Sequence, residues 1–175
     1  ERTADARLVA ATLEQWQSSN ALLAGHLDMD RFGAFGFAQG GSAAGDLAET
    51  DARFKASANI DGAMLNDSLV ASGPNKPFLL LVPEPRAYNL QDNLMLFLTR
   101  ANAPAYYLSL AGMIHHSFFD AAILLDLGTF NKAFGTSDCF ATMDGLDAHV
   151  LLRSILLSFF KRHLTALYQP QAHNI

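Results

Sequence analysis

A glycine-spaced corner at residues 36–40 is the stretch of this sequence with the clearest potential for chemistry. An apolar run ends there, and Gly36, Ala38 and Gly40 occupy the fixed positions of the pattern G-x-S-x-G, with alanine where the pattern has serine. In that pattern a strand turns sharply into a helix and presents a serine nucleophile at the turn. We expect glycine at positions 36 and 40 because strand and helix pack closely around such a strained turn. The sequence therefore predicts a strand-to-helix corner that lacks its nucleophile.

Two further polar residues follow predicted strands in an order that suits acyl transfer. Asp61 comes after a predicted strand at 53–60, and His115 comes after another at 104–110. A serine hydroxyl needs an imidazole to take its proton, and a carboxylate to hold that imidazole in the right tautomer. Ala38, Asp61 and His115 follow one another in the order nucleophile, acid, histidine, which is the chain order of the α/β-hydrolase triad.

The elements that must position these residues alternate between helix and strand. Helical spacing of apolar residues predicts helices at 4–16, 40–49, 88–100, 119–127 and 148–167, and apolar runs predict strands at 31–37, 53–60, 77–82 and 104–110. Pro83 and Pro85 are expected to stop the third strand, residues 63–76 to be mostly irregular, and 169–175 to be a polar tail. This alternation predicts an α/β fold, with a mostly parallel sheet and helices on both faces. In such sheets the chemistry lies at the carboxyl ends of the strands.

Composition limits the function classes. The 175 residues are 50% hydrophobic, enough for the core of one domain, and carry a net charge of −5 with 12 scattered basic residues, so nucleic acid is not expected as a partner. The sequence contains no uninterrupted apolar run of about 18 residues, so a transmembrane span is not predicted. The single cysteine, Cys139, cannot form an internal disulfide and is expected to be a small buried or inert thiol. Residue 1 is Glu1, without a signal-like run, so any targeting segment would lie outside this sequence.

Each candidate also has a less specific interpretation. Asp61 could be a turn or capping residue, and His115 an ordinary loop histidine. His116 and Asp120 have the i, i+4 spacing of a metal pair, but no third ligand is near in sequence, so we expect neither a metal nor a cofactor. Ser42 is an unsuitable substitute nucleophile because it falls a turn beyond the corner on the predicted helix, facing away from His115. Four apolar residues could line an acyl pocket, or they could simply belong to the hydrophobic core: Phe118, Phe119, Met64 and Leu65.

Four stretches, at 36–41, 51–62, 112–120 and 145–164, are similar to the plasma-type platelet-activating-factor acetylhydrolase family. The resemblance implies a serine carboxylester hydrolase that uses no metal or organic cofactor and acts on short-chain or phospholipid-type esters. It implies that Asp61 is the triad acid and His115 the base. Gln39 would contribute its backbone N–H to the oxyanion hole. It also slightly favours a secreted or periplasmic location, which the sequence alone leaves unknown.

This chain departs from the family pattern in two ways. Ala38 cannot form an acyl-enzyme, either because a serine was deliberately replaced or because the chain is a natural pseudo-enzyme that only binds an ester or lipid. The family's strands before the corner, with one oxyanion-hole loop, are absent, so residues 1–175 are expected to be the C-terminal part of a single domain. The N-terminal half would then be a partner, either elsewhere in the protein or as a separate chain. Otherwise the fragment would carry an exposed sheet edge at 31–37 that pairs with another chain.

Overall fold

The computed structural model describes residues 2–84, 91–124 and 141–165. Its helices are α1 (Arg2–Ser19), α2 (Gln39–Thr50), α3 (Asp67–Ser72), α4 (Gln91–Thr99), α5 (Ala121–Leu124) and α6 (Gly145–Leu164), with a 3-10 helix at His115–Phe118. Its strands are β1 (Phe32–Phe37), β2 (Phe54–Ile60), β3 (Phe78–Glu84) and β4 (Ala105–Ala111). They form one sheet in the order β1-β2-β3-β4 in which every pair is parallel. The predicted α/β class is confirmed.

The strand register brings the predicted site positions to one edge of the sheet. Phe37 at the end of β1 pairs with Ile60 at the end of β2, and Ile60 pairs with Leu81 of β3. One residue further, the Ala38 N–H donates to the Ile60 carbonyl at 2.9 Å and the Asp61 N–H donates to the Leu81 carbonyl at 2.7 Å. Ala38 and Asp61 therefore leave the sheet side by side, at its carboxyl edge.

Helices cover both faces of the sheet, as predicted. All residues of β3 are buried except the last one, Glu84. Their side chains alternate between two cores because successive residues of a strand point to opposite faces. One core joins the sheet to α6 and includes Leu79, Leu81, Leu152 and Phe159. The other joins it to α3 and α4 and includes Phe78, Leu80, Val70 and Phe97. A third cluster packs α1 and α2 on the first two strands.

The third strand extends beyond the predicted stop at Pro83. In a parallel strand, alternate residues hydrogen-bond to opposite neighbours, and Leu81 bonds towards β2 while Phe78 bonds towards β4. Pro83 lies two residues after Leu81 and therefore also faces β2. Pairing with β2 has already ended at Leu81, so the absence of an N–H on Pro83 removes no hydrogen bond from the sheet. Pairing with β4 continues through Glu84.

Residues 63–76 contain a short helix, which corrects the expectation of irregular structure there. The Asn66 side chain accepts a hydrogen bond from the Leu69 N–H and caps the start of α3. Gly73 follows the helix at φ +71°, where a Cβ would approach the Arg100 carbonyl oxygen to 2.2 Å. An asparagine cap and a closing glycine are recognisable signals, but the six-residue helix between them is too short to show periodicity.

The last helix, α6, begins three residues before the predicted start because Asp144 caps it, accepting from the N–H groups of Leu146 and Asp147. Parts of the predicted helices at 88–100 and 119–127, together with Cys139 and the tail, lie outside the described residues. Among the residues that are described, no helix is long and apolar enough to cross a membrane.

An ion-pair network joins α1 to the turn between α2 and β2. The Arg53 guanidinium donates to both carboxylate oxygens of Asp51, at 3.0 and 2.6 Å, and to Glu14 of α1 at 3.1 Å. Hydrogen bonding from Arg53 lowers the pKa of Asp51 to about 2, from an ordinary value of 3.8. Because the folded-state pKa is the lower one, the carboxylate stabilises the fold at pH values above about 4. This contribution is lost as the pH falls from about 4 to about 2.

We predict that Asp51→Asn lowers the free energy of unfolding by about 1 kcal/mol at pH 7. The expected loss is this small because Arg53 is partly exposed and solvent screens its attraction to Asp51. The difference from the unchanged protein should shrink on going from pH 4 to pH 2, where Asp51 becomes protonated. Urea unfolding at pH 7, 4 and 2 measures it. Asp28→Asn, which removes a much more exposed partner of Arg31, is the control and should change stability by less than about 0.5 kcal/mol. An Asp51 effect that does not change with pH would contradict the assignment.

Candidate active site

The strand-to-helix corner is strained at Ala38. Its backbone has φ +52° and ψ −121°, a conformation rarely adopted by residues with a side chain, and it lies between the end of β1 and the start of α2. A Cβ on Gly36 would lie 2.3 Å from the Gly40 carbonyl group, so strand and helix approach more closely than any side chain at position 36 would allow. The corner therefore has the sharp geometry that the G-x-S-x-G spacing predicts.

The two other glycines of the corner differ in how crowded they are. A Cβ on Gly40 would meet nothing within 4 Å, whereas one on Gly41 would come within 2.2 Å of Asn59 Oδ1. The expectation that close packing requires glycine at position 40 is therefore wrong for this chain, and the requirement falls on Gly41. The reason is that helix α2 turns Gly40 outward and Gly41 towards β2.

Asp61 and His115 are joined by a short hydrogen bond. His115 Nδ1 lies 2.6 Å from Asp61 Oδ2, and the Asp61 side chain is 2% exposed while that of His115 is 26% exposed. A carboxylate accepts, so the imidazole donates through Nδ1–H, and in the neutral ring Nε2 is left as the proton acceptor. This is the tautomer that a general base needs, and its partly exposed ring can be reached from solvent.

Backbone packing places Ala38 beside this pair. A Cβ on Gly62, the residue after Asp61, would lie 2.1 Å from the Ala38 carbonyl oxygen. On the other side, the ring of Phe37 packs on the ring of His115, with centroids 4.4 Å apart. The structure thus brings together the three positions that the sequence analysis selected. Gln39 is the first residue of α2, so its N–H has no acceptor within the helix and lies at the corner.

The loop that carries His115 is fixed at both ends. Gly112 begins it at φ +78°, and the Gly112 carbonyl accepts from the N–H groups of Thr142 and Met143, just before α6. Ser117, which is buried, accepts through Oγ from the Ile114 N–H at 3.0 Å. Sequence reasoning missed Ser117 because a serine two residues after a histidine carries no distinctive pattern.

Asn59 is a second functional candidate that sequence reasoning missed. It lies within β2 with no solvent exposure, and its side chain bonds to the backbone of Gly62 on the far side of Asp61. The available signal was an amide inside an otherwise apolar strand end, two residues before a candidate acid.

In the described portions of the chain no three His, Cys, Asp or Glu side chains form a group that could hold a metal ion. Partial desolvation of its ring, and to a lesser extent the neighbouring His115, lowers the pKa of His116, whose ring packs on Phe119.

The other candidates separate by burial. Ser42 is buried on α2, and the Ala38 carbonyl accepts from its N–H. Phe118 and Met64 are core residues, Leu65 is 70% exposed, and Phe119 is half-buried against Phe37. Of the four proposed pocket residues, Phe119 alone both contacts the aromatic cluster around His115 and retains exposed surface.

Comparison with solved structures supports the fold. A ferulic acid esterase from Streptomyces cinnamoneus superimposes with a TM-score of 0.72 at 23% sequence identity. The match covers 100% of this chain and 53% of the esterase chain, so this chain spans about half the length of that enzyme. No family model matches the sequence, and no curated protein matches it. The resemblance to platelet-activating-factor acetylhydrolases therefore stays a prediction, while the chain shares its α/β fold with this esterase.

The unequal glycines give a matched test of the corner. We predict that Gly41→Ala lowers the free energy of unfolding by about 2 kcal/mol, because its Cβ would collide with Asn59. Gly40→Ala should be neutral or stabilising by up to about 1 kcal/mol, since alanine is the better helix former. Urea unfolding of both variants decides the matter, and equal effects would contradict the described packing.

Proposed function

We propose that this chain carries the acid and base of a serine-type carboxylester hydrolase acting on short-chain or phospholipid-type esters. The observation that carries the proposal is the 2.6 Å hydrogen bond between His115 and Asp61, next to the strained corner at Ala38. The esterase-type fold supports it. As written, with alanine at the nucleophile position, the chain is expected to be inactive.

The reaction follows from the positions of the groups. With serine at position 38, its Oγ would attack the ester carbonyl while His115 Nε2 takes the hydroxyl proton. Asp61 would stabilise the resulting imidazolium through Nδ1–H, and the Gln39 N–H would donate to the oxyanion. His115 would then give its proton to the leaving alcohol, and water activated by the same imidazole would release the acid from the acyl-enzyme. None of these steps requires a metal or cofactor.

Ala38 favours a second candidate function, a natural ester- or lipid-binding protein that does not catalyse. The methyl group of alanine cannot attack a carbonyl, yet the hydrogen-bonded pair of Asp61 and His115 and the strained corner are both present. The natural codon at position 38 distinguishes the two: a serine codon indicates an enzyme whose nucleophile was replaced, and an alanine codon indicates the binding function.

We also propose that further strands of the same domain, in this protein or in a separate chain, cover the free side of β1. Among the described residues β1 pairs with β2 alone, and Phe35 on it is 62% exposed. An apolar groove of about 590 Å³ runs between α1, β1 and α2. Parallel sheets are normally buried, and the esterase of similar fold is about twice as long. The covering strands would supply the second oxyanion-hole donor.

Restoring the nucleophile tests the enzymatic proposal. In the complete protein, Ala38→Ser should raise hydrolysis of p-nitrophenyl acetate and butyrate by at least about a thousandfold, since loss of a triad member costs that much or more. Adding His115→Ala should abolish the gain, whereas adding Ser42→Ala should not. Failure of Ala38→Ser to hydrolyse either ester would refute the proposal.

The uncovered edge predicts the behaviour of the 175-residue chain in isolation. It should be insoluble or oligomeric, because β1 presents an apolar, unpaired edge. Size-exclusion chromatography measures this, and Phe35→Lys should shift the chain towards monomer. Leu22→Lys, at a side chain 84% exposed but far from the edge in sequence, should have no such effect. If the unsubstituted chain is a monodisperse monomer, that result would count against the proposal that further strands cover β1.

A further inference from the structure

We infer that Asn59 is a positioning residue that sets the carboxylate of Asp61 against His115 and couples this acid turn to the Ala38 corner. The inference rests on the proposed function for its catalytic meaning, while its structural content can be tested without activity. Asn59 touches neither the imidazole nor the nucleophile position through any contact described, so its effect passes through the backbone.

The first part of the argument is the pairing of Asn59 with the acid turn. Its Oδ1 accepts from the Gly62 N–H at 2.8 Å, and its Nδ2 donates to the Gly62 carbonyl at 3.2 Å. The same Nδ2 lies 3.7 Å from the Met64 sulfur. The side chain therefore closes a ring around Asp61, with a bond to each polar backbone group of the residue that follows it.

Asp61 needs such a brace. Its φ of +49° is unfavourable for a residue with a side chain, and conformations of this kind persist where the surroundings determine them. Its carboxylate is almost fully buried, so its direction follows from the backbone at this position. A change in the backbone angles of Asp61 would move Oδ2 relative to His115 Nδ1.

The second part is the contact of Asn59 with the nucleophile corner. A Cβ on Gly41, in the first turn of α2, would lie 2.2 Å from Asn59 Oδ1, and one on Gly62 would lie 2.1 Å from the Ala38 carbonyl oxygen. Gly41 and Gly62, which lie close in sequence to Ala38 and Asp61, the two non-glycine residues with positive φ among those described, thus both pack closely on one amide. A single buried side chain fixes the spacing between the acid turn and the corner.

The chemistry of the site selects an amide. Gly62 offers one donor and one acceptor, and its hydrogen bonds to Asn59 are buried, so a side chain of this length must present an acceptor and a donor together. Aspartate would leave the carbonyl without a donor and bury a charge beside Asp61. Leucine has the same approximate shape but would leave both backbone groups of Gly62 unsatisfied.

Ser57 provides a matched control. It lies two residues earlier on β2 and is 1% exposed, so it shares the strand and the burial of Asn59. No side-chain hydrogen bond links it to either turn in the described structure. A role for Asn59 that is merely structural predicts that Asn59→Leu and Ser57→Ala differ in stability and in nothing else.

The test uses the complete protein with Ala38 and reads the Nδ1–H proton of His115 by NMR, since a proton held in a short bond to a carboxylate is strongly deshielded. Asn59→Leu should remove or markedly shift this resonance while the remaining spectrum shows a folded protein, and Ser57→Ala should leave it in place. If Asn59→Leu does not fold, Asn59→Ala serves as the variant. An unchanged resonance in a folded Asn59 variant would overturn the inference.

Kinetics in an Ala38→Ser background give the second readout. Asn59→Leu should lower kcat by about 10- to 100-fold with little change in KM, because a misplaced base slows chemistry more than binding. Ser57→Ala should stay within about twofold of its parent. A parent without esterase activity refutes the proposed function and leaves the NMR result to decide on Asn59. An active parent with unchanged kcat in the Asn59 variant overturns the inference alone.

Discussion

The hydrogen bond between His115 and Asp61 spans 54 residues of chain, and it depends on the parallel sheet. Parallel strands end at the same edge, so residues that follow different strands meet there whatever their separation in sequence. The register of β1, β2 and β3 places Ala38 beside Asp61. The Gly112 turn after β4, fixed to the start of α6, then returns His115 over the same edge.

Strain is concentrated at that edge and balanced by the packing around it. Ala38 and Asp61 both have positive φ, and each conformation of this kind costs on the order of 1–3 kcal/mol. The surroundings that hold them are close backbone contacts, at Gly36, Gly41 and Gly62, where no Cβ fits. The glycines at these points and the buried amide of Asn59 therefore act together. They keep the two strained turns, at Ala38 and Asp61, at a fixed spacing.

The sequence predicted the features that follow from simple periodicity. All four strands lay within a few residues of their predicted ends, and the selection of Ala38, Asp61 and His115 required only strand ends and chain order. It missed features that depend on partners distant in sequence. Pro83 continues a strand because β2 has already ended beside it, and Gly41 rather than Gly40 is crowded because Asn59 packs against it. Asn59 itself resembled any polar interruption of an apolar strand, since its partner, Gly62, matters only once the turn at Asp61 is known.

The residue at position 38 bears on the choice between a purely structural corner and one built to present a side chain. Glycine reaches φ +52° without the steric cost that any Cβ incurs, so a corner selected for stability alone would be more stable with glycine there. Alanine retains that cost and gains from its methyl group no hydrogen bond in return. It differs from serine by one oxygen atom, and the turn after Asp61, the ring of His115 and the start of α2 all lie beside this corner. The strained alanine therefore supports the proposal that the corner presents a serine nucleophile, rather than serving only to turn the chain.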